Sequence, residues 1–301
     1  MAGFIEETIA SVLSQDYPDI EYIVVDGGST DSTLEIVRRY QGHLRFVSGK
    51  DSGPADAINR GFGMARGSLL GWLNADDTYL PGAVSAAAEF LVRQRDTGGV
   101  YGDGYWTDAH GRVIGPYPTR EFAAGLLERE CFICQPACFF RAEVFRAIGM
   151  LNPALQYSFD YDFWIRASAR FRFEHLAAAL ASSRMHSANR TLGQRRRMFE
   201  ENFTVLKRHY GYVPFPWIHS YCSYLLDRRD QFYEALRPTF TKYLLSLPMG
   251  WRHNSRAIRR YTAEWRSAMT GRAFLRLASA RWAAALARIG VGRRQTPPAP
   301  G

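Results

Sequence analysis

The chain has few cysteines and no long apolar run, and each scarcity excludes a class of protein. Only four cysteines occur in 301 residues, at positions 131, 134, 138 and 222. That number is too low for a small secreted scaffold held together by disulfides. No apolar stretch approaches the roughly 20 residues that a helix needs to cross a bilayer. The first residues lack a basic segment followed by an apolar one, so we also predict no signal peptide.

Cys131 and Cys134 form a C-x-x-C pair, which is compatible with two interpretations. One is half of a zinc site, although no second pair and no spaced histidine pair follows it in the sequence. The other is a set of buried free thiols in a reducing compartment. The sequence leaves both open.

Acidic residues are almost absent from the C-terminal arm. Residues 251–301 contain eleven arginines and one acid, Glu264, whereas the whole chain has a formal net charge of +9. The remainder of the chain is therefore close to neutral, and its carboxylates lie far in sequence from the basic charge. A nucleic-acid enzyme would place basic residues beside its site, so we predict no nucleic-acid partner.

Residues 255–294 of this arm predict an amphipathic, arginine-rich helix with Trp265 and Trp282 as interfacial anchors. Such a helix is expected to lie on an anionic membrane surface. The alternative is a helix packed on the rest of the protein with its arginines in water.

The first eighty residues alternate between helix and strand patterns. Helices are predicted at residues 4–13, 32–40 and 55–66, and strands at 20–25, 44–48 and 68–73. This order is typical of an α/β fold with a parallel sheet and helical crossovers. Two strands end in acids, one at Asp26 and one at Asp76 and Asp77. Because ligands bind at the carboxyl ends of strands in open α/β sheets, we expect these acids to share one edge.

The segment Asn74-Ala75-Asp76-Asp77 places two carboxylates and an amide where a strand leaves the sheet. Adjacent carboxylates repel each other, and a hard divalent cation relieves that repulsion. The alternative is that Asp77 or Thr78 caps a helix that begins near Pro81.

The later part of the chain adds a second acidic segment and a change of character. Residues 158–169 predict a helix with Asp160 and Asp162 in its first turn, where the helix dipole alone would favour them. His186 follows a predicted strand. Beyond residue 191 the chain becomes charged and helical. We therefore predict a first domain at 1–190, a helical, C-terminally arginine-rich extension at 191–294 and a flexible tail at 295–301.

Five motifs occur together, in this order: VVDGGSTD (24–31), GPADAINRGFGMARG (53–67), LNADD (73–77), QPACFFR (135–141) and FDYDFWIR (159–166). Together they resemble the inverting family 2 glycosyltransferases of bacterial polysaccharide synthesis. The resemblance implies a GT-A fold, a Rossmann-like, mostly parallel sheet flanked by helices. It also implies a nucleotide-sugar donor, most simply a UDP-sugar, with Mg²⁺ or Mn²⁺ at the DXD-type motif. The implied acceptor is a saccharide or lipid-linked saccharide, and the implied location is cytoplasmic, peripheral to the inner face of the cytoplasmic membrane.

The resemblance also implies roles for individual residues. Asp26 would lie against the nucleotide base, with Asp56 and Asn59 lining the same pocket. The DXD-type segment would bind the donor through Asn74 and Asp76, and Asp76, Asp77 and His186 would hold the metal on the diphosphate. Asp160 would be the catalytic base, which must accept a proton because the acceptor hydroxyl has a pKa far above neutral.

Three departures from the family pattern also bear on function. The family usually opens with a strand before the helix that matches residues 4–13, so we expect either a true start further upstream or a GT-A sheet that lacks this strand. The pair after the next strand is often Asp-Asp, and here it is Asp26-Gly27. The first acid of the DXD-type motif is replaced by Asn74. The alternative function is therefore a catalytically impaired GT-A fold that binds a nucleotide-sugar or a partner.

Overall fold

The computed structural model describes residues 1–123, 125–187, 189–229, 236–237 and 239–268. The chain forms two compact units, Met1–Gly211 and Tyr212–Gly301. The first unit extends past residue 190 because the helix Arg195–Tyr210 belongs to it and contacts Asp162 through His209. The predicted tail at 295–301 and the predicted arm from residue 269 on, including Trp282, lie outside the described residues.

The first unit alternates helices and strands, as predicted. Its strands are β1 (Ile23–Asp26), β2 (Arg45–Ser48), β3 (Leu69–Gly71), β4 (Thr78–Tyr79), β5 (Thr97–Thr107), β6 (Val113–Pro116), β7 (Cys138–Arg141) and β8 (Arg172–Arg184). Its helices are α1 (Ile5–Leu13), α2 (Thr33–Arg38), α3 (Pro54–Met64), α4 (Ala83–Arg93), α5 (Leu126–Arg129), α6 (Ala142–Ile148), α7 (Phe159–Ser168), α8 (Arg190–Gly193) and α9 (Arg195–Tyr210). The helices predicted at 4–13, 32–40, 55–66 and 158–169 are confirmed as α1, α2, α3 and α7.

The strands pair in two sheets. β1 and β2 form a parallel pair, and the larger sheet has the order β3-β7-β5-β8-β4, with β6 on β5. Within the larger sheet β5 and β8 are parallel and the other pairs are antiparallel. The α/β class is confirmed, but the pairing is more mixed than expected. In the described part of the chain β1 does not pair with β3.

An aromatic cluster joins the two acidic segments that the sequence singles out. The rings of Trp72, after β3, and Trp164, on α7, stack with centroids 5.2 Å apart. Phe140 of β7 and Phe163 of α7 complete the cluster. Burying an aromatic side chain of this size stabilises a fold by roughly 1.5–3 kcal/mol. The helix that carries Asp160 is therefore packed firmly against the sheet that leads to Asp76.

The second unit contains three described helices, α10 (Phe215–Asp227), α11 (Phe240–His253) and α12 (Ile258–Ala268). The rings of Tyr243 and Trp265 stack between α11 and α12 with centroids 4.3 Å apart. The side chain of Asn254 exchanges hydrogen bonds with the backbone N–H and C=O of Val213, at 2.7 and 2.9 Å. Among the described helices, none combines the length and the apolar character needed to cross a membrane.

The cysteines favour the buried-thiol interpretation over a zinc site. Cys134 and Cys138 are buried, and burial raises the pKa of both thiols. Zinc binds the thiolate, whose formation a raised pKa opposes. The described residues also contain no cluster of three or more His, Cys, Asp or Glu side chains arranged to hold a metal ion.

Candidate active site

Asp26, at the end of β1, organises the loop that follows it. Its buried carboxylate accepts hydrogen bonds from the backbone N–H of Gly28 at 2.9 Å and of Ser29 at 3.0 Å. It also accepts one from the hydroxyl of Ser48 on β2, at 2.8 Å. Burial alone would raise the pKa of Asp26, but the bonds from Ser29, Ser48 and Gly28 hold the pKa below its ordinary value. The side chain is therefore ionised, and its hydrogen bonds connect β1, β2 and the loop.

Asp51 stands next to this loop, and the sequence interpretation did not single it out. A Cβ on Gly27 would lie 2.4 Å from Oδ2 of Asp51, so this carboxylate occupies the space that a side chain at position 27 would need. A side chain at position 27 would therefore have to displace the carboxylate of Asp51. Oδ1 of Asp51 accepts a hydrogen bond from the N–H of Gly53 at 3.0 Å.

Two residues predicted to line the nucleotide pocket lie on α3. Asp56, in its first turn, accepts a hydrogen bond from the N–H of Ser52 at 3.0 Å. Asn59 is buried, and its side-chain amide exchanges two hydrogen bonds with the backbone of Leu151, at 2.8 and 2.9 Å. The amide of Asn59 therefore joins α3 to the loop before α7, and this use competes with a direct contact to a nucleotide.

Asp77 is held by protein donors on both carboxylate oxygens. Oδ1 accepts from the backbone N–H of Arg184 at 2.9 Å, and Oδ2 accepts from the amide of Asn74 at 3.0 Å. The side chain is buried, and burial, followed by the charge of Asp76, raises its pKa to about 7. The alternative that Asp77 caps the next helix is wrong, because α4 begins at Ala83, with Gly82 as its N-cap and no side-chain capping bond.

Asp76 faces His186, which the sequence placed in the same site. Oδ2 of Asp76 lies 3.0 Å from Nε2 of His186, and both side chains are buried. The ring of Phe4 lies against the imidazole, with centroids 4.5 Å apart. The other oxygen of Asp76, Oδ1, accepts no hydrogen bond from the described residues. This carboxylate therefore keeps an oxygen for a ligand.

Arg184 connects the pieces of this site, although the sequence interpretation gave it no role. Its buried guanidinium donates to the backbone carbonyl of Asp76 at 2.9 Å and to the carboxylate of Glu7 at 2.6 Å. It also lies over the ring of Phe4, 5.1 Å from the centroid. Nothing in the sequence spacing relates Glu7 to Arg184, 177 residues later.

Asp160 and Asp162 sit in the first turn of α7 with opposite environments. Asp162 is 2% exposed and lies 2.9 Å from Nε of Arg166 and 2.8 Å from Nε2 of His209. Burial alone would raise its pKa, but His209 and Arg166 hold the pKa of Asp162 below its ordinary value. Asp160 accepts a hydrogen bond from the backbone N–H of Tyr161, and burial raises its pKa to about 6. Asp162 is therefore a fixed anion, whereas Asp160 can exchange a proton near neutral pH.

The segment before α7 is held by Glu201 of α9. Its carboxylate accepts hydrogen bonds from three successive backbone N–H groups, of Gln156, Tyr157 and Ser158, at 2.8, 2.6 and 2.7 Å. The charge of Glu201 also adds to the raised pKa of Asp160, after burial. Glu201 thus orients the turn that presents Asp160.

The segment 131–134 lies between the two acidic regions. Burial, followed by the charge of Asp160, raises the pKa of Cys131. Burial, followed by the charge of Asp77, raises the pKa of Cys134. The charge of Asp160 thus acts on Cys131, and the charge of Asp77 acts on Cys134 in the same short segment.

Asp76 offers the chemistry that a hard divalent cation needs, a carboxylate oxygen that is not used by a protein donor among the described residues. Oδ2 of Asp76 and Nε2 of His186 are at hydrogen-bond distance, 3.0 Å, and Oδ1 of Asp76 is the oxygen left for a ligand. Mg²⁺ is usually bound by one or two carboxylates plus substrate phosphates and water. Both carboxylate oxygens of Asp77 accept hydrogen bonds, from Arg184 and Asn74. Asp77 would therefore position the site and would not bind the cation itself.

Known proteins resemble this chain in sequence. Residues 2–149 match the profile of Glycosyl transferase family 2. The chain is 31% identical over 188 residues to the PGL/p-HBAD biosynthesis glycosyltransferase of Mycobacterium tuberculosis, covering 60% of this chain and 72% of the relative. It is 23% identical over 247 residues to the hyaluronan synthase of Pasteurella multocida, covering 78% of this chain but spanning only 25% of that longer protein.

Two solved structures have a similar fold. S. aureus TarS 1-349, in complex with UDP-GlcNAc, superposes with a TM-score of 0.55 at 18% identity, over 75% of this chain and 70% of that one. The mannosyltransferase PcManGT from Pyrobaculum calidifontis, in complex with GDP-Man and Mn²⁺, superposes with a TM-score of 0.53 at 16% identity, over 97% and 78%. Together with the family match, they show that this chain belongs to glycosyl transferase family 2 and has the GT-A fold.

Proposed function

We propose that this chain transfers a sugar from a nucleotide-sugar to a hydroxyl group of a saccharide or lipid-linked saccharide, with inversion at the anomeric carbon. The observation that carries the proposal is the difference between the environments of the two acids on α7, Asp160 and Asp162. Burial raises the pKa of Asp160 to about 6, and its partner among the described residues is a backbone N–H, whereas the carboxylate of Asp162 is held by His209 and Arg166. A general base works best when its pKa lies near the working pH.

Asp160 would act on the acceptor in a single displacement. The acceptor hydroxyl oxygen forms a bond to the anomeric carbon while the bond from that carbon to the diphosphate oxygen breaks. Asp160 accepts the hydroxyl proton, and the nucleoside diphosphate leaves with the bonding electron pair. A base on one face and a leaving group on the other gives inversion without a covalent intermediate.

Asp76 and His186 would hold Mg²⁺ or Mn²⁺ against the donor diphosphate. Such a cation neutralises the charge that develops on the leaving diphosphate. Arg184 and Asn74 fix the backbone of Asp76 and the carboxylate of Asp77, so this site is set before the donor binds. The complex of PcManGT with GDP-Man and Mn²⁺ supports a divalent cation, and that of TarS with UDP-GlcNAc supports a UDP-sugar donor.

At the end of the proposed donor site that would bind the nucleotide base, Asp51 and Asp56 present carboxylates beside the loop after β1. Each accepts one backbone hydrogen bond, from Gly53 and Ser52 respectively, and the carboxylate of Asp26 is used to hold the loop. We therefore place the nucleotide base against this loop, in a pocket that Asp26 shapes by holding the loop. Asn59 would act through the position of Leu151.

We further propose that the second unit lies on an anionic membrane surface on the cytoplasmic side. Its exposed apolar side chains include Leu244 and Trp251, 46% and 41% exposed, which are seven residues apart on one face of α11. Pro248, also exposed, lies between them on the same face. Arg252, Arg256 and Arg259 follow as exposed cations. This arrangement of apolar face and basic rim is typical of interfacial helices.

The transfer proposal is tested by incubating the full chain with UDP-GlcNAc, UDP-glucose and GDP-mannose in the presence of Mn²⁺ and an extract of saccharide acceptors. We expect release of nucleoside diphosphate that depends on the acceptor, and a product of inverted anomeric configuration by NMR. Asp160→Asn is the control. Equal release by the two proteins, or retention of configuration, would contradict the mechanism.

A further inference from the structure

The side chain of Gln156, in the segment before α7, reaches the turn that precedes α3. Its Nε2 donates a hydrogen bond to the backbone carbonyl of Ser52 at 3.1 Å. A Cβ on Gly53 would lie 2.6 Å from Oε1 of Gln156. Gly53 also has a φ of 129°, which glycine adopts far more readily than other residues. Glycine at position 53 thus leaves the space that the amide of Gln156 occupies.

Both ends of this amide have protein partners. Nε2 of Gln156 also donates to the carbonyl of Pro153 at 3.4 Å, and Oε1 accepts from Nη1 of Arg190 at 3.3 Å. A carbonyl only accepts and a guanidinium only donates, so these partners determine which end of the amide carries the oxygen. Arg190 is the first residue of α8, four residues after His186. Gln156 therefore connects the turn before α3 with the segment that follows His186.

The peptide group Ser52–Gly53 extends these contacts to Asp51. Its C=O accepts from Gln156, and its N–H donates to Oδ1 of Asp51 at 3.0 Å. The guanidinium of Arg190, the amide of Gln156, this peptide group and the carboxylate of Asp51 thus form one chain of hydrogen bonds that all point the same way. Each bond in such a chain polarises the next. A change in the hydrogen bonding of Asp51 therefore affects Gln156.

The backbone of Gln156 is bound to the start of the helix that carries the proposed general base. Three successive N–H groups, at residues 156–158, donate to the carboxylate of Glu201. Ser158 is the N-cap residue of α7, and Asp160 is the second residue of that helix. The buried hydroxyl of Ser158 makes no capping bond and has no hydrogen-bond partner among the described residues. The first turn of α7 is thus held through the backbone of residues 156–158 and not through the usual serine cap.

We propose that Gln156 is a positioning residue, which couples the binding of a nucleotide at Asp51 to the placement of Asp160. The inference rests on the proposed function, in which Asp51 lies beside the nucleotide base and Asp160 accepts the proton of the acceptor. A nucleotide that bonds to Asp51 changes the pull of this carboxylate on the Ser52–Gly53 peptide group. Gln156 passes the change to the segment that ends at Ser158. Such coupling is reciprocal, so the placement of Asp160 also affects nucleotide affinity.

The test measures hydrogen exchange of backbone amides by NMR in the full chain, with UDP or GDP and Mn²⁺ as the probe. Calorimetry verifies that the nucleotide is saturating. We expect the nucleotide to slow exchange of the N–H groups of residues 156–158 by about ten-fold in the original chain, within the usual range for coupled sites. In Gln156→Ala the slowing should fall below about two-fold, because the link to Ser52 is lost. Gln41→Ala, at an exposed glutamine of the first unit, is the matched control and should behave as the original chain.

Two further measurements separate coupling from a structural role. Gln156→Glu keeps an oxygen for Arg190 but lacks the N–H that binds Ser52, so it should lose the coupling as Gln156→Ala does. With saturating acceptor, Gln156→Ala should lower kcat by about ten-fold and change the KM of the donor by less than about three-fold. The melting temperature should change little, since the side chain is only half-buried.

Equal slowing of exchange in the original chain and in Gln156→Ala would overturn the proposal, as would full slowing in Gln156→Glu. An unchanged kcat with a lower melting temperature would make Gln156 a structural residue only. An unchanged kcat with weaker donor binding would make it a contact of the donor, and either result overturns the coupling. If neither nucleotide binds the original chain, the proposed function itself is wrong and the coupling is wrong with it.

Discussion

Nε2 of His209 lies 2.8 Å from Oδ1 of Asp162, and this contact joins α9 to α7. With Arg166 on the other oxygen, it removes Asp162 from the set of residues that could exchange a proton. Asp160, two residues earlier, has neither partner. The sequence FDYDFWIR presents both acids alike, and only their environments distinguish a structural anion from a base.

Replacing Asp160 by Asn is expected to lower turnover by about 10²–10⁴-fold, the usual effect of losing a general base. Donor binding should change little, because Asp160 acts on the acceptor. The melting temperature at pH 8 should stay equal or rise, since the buried negative charge is removed. Turnover, donor affinity by calorimetry and thermal unfolding check the three parts.

The matched control is Asp162→Asn on the same turn. It leaves Arg166 and His209 without their anion and should reduce the free energy of unfolding by about 2–4 kcal/mol. The pKa of Asp162 is held low in the folded state. This stability is therefore present above the unfolded pKa of Asp162 and is lost as the pH falls through its lower folded pKa. An inactive, normally stable Asp162→Asn beside an active Asp160→Asn would reverse our assignment.

The pH dependence of the reaction follows from the raised pKa of Asp160. The base must be ionised, and its pKa is about 6 because burial disfavours the charged form. Since the neutral form dominates below that value, kcat/KM should fall about tenfold per pH unit below pH 6 and level off above it. A pH profile of initial rates, with donor stability checked separately, measures this limb. A flat profile between pH 5 and 8 would exclude Asp160 as the titrating base.

Removal of the divalent cation should abolish transfer, and Mn²⁺ or Mg²⁺ should restore it. Asp76→Asn keeps the shape of the side chain but loses the charge, and should weaken Mn²⁺ binding in the presence of UDP by at least about 10-fold. Asp96→Asn, an exposed acid after α4, is the control. Full activity after exhaustive EDTA treatment would contradict a metal-dependent mechanism.

Asn59→Ala should act on stability more than on donor affinity. The substitution leaves the backbone N–H and C=O of Leu151 without partners in a buried setting, which costs about 1–3 kcal/mol. Asn152→Ala, where an exposed amide bonds to Ala154, is the matched control and should be nearly neutral. Urea unfolding and donor titration separate the two effects. A stable Asn59→Ala with a much weaker donor affinity would return Asn59 to the nucleotide pocket.

The sequence predicted the helices and strands that carry the site better than it predicted which residues contact each other there. Apolar periodicity placed α1, α3 and α7, and the order of helices and strands predicted the α/β class, because these signals are local. The partners are set by long-range packing. Asn59 meets Leu151 across 92 residues and Arg184 meets Glu7 across 177, and no spacing rule connects such pairs. The environments of Asp160 and Asp162 likewise depend on α9, which packs on α7 only in the folded chain.

The separation of β1 from β3 could not be predicted either. Helix and strand patterns indicated neighbouring parallel strands, but pairing depends on which edges meet. β3 bonds to β7, and β1 bonds to β2. Similarly, the family pattern suggested an acid at position 27, whereas Asp51 reaches that space from the segment after β2.

The membrane proposal is tested on α11, since truncation after Leu247 would cut through this helix. Leu244→Glu with Trp251→Glu places two charges on the exposed apolar face, and each lost apolar contact is worth roughly 1.5–3 kcal/mol. We expect the full chain to float with vesicles of phosphatidylcholine and phosphatidylglycerol, and the double variant to bind at least ten-fold less.

Three comparisons make the result specific. Val92→Glu, at an apolar side chain 67% exposed in the first unit, is the matched control and should leave flotation unchanged. Vesicles of phosphatidylcholine alone should bind weakly, because each arginine near an anionic surface contributes about 1 kcal/mol. A truncated chain that ends after Ala268 separates the contribution of α11 to vesicle binding from that of the arginines after residue 268. If the double variant and the original chain float alike, α11 is not the contact surface, and if neither vesicle binds the chain, the membrane location is wrong.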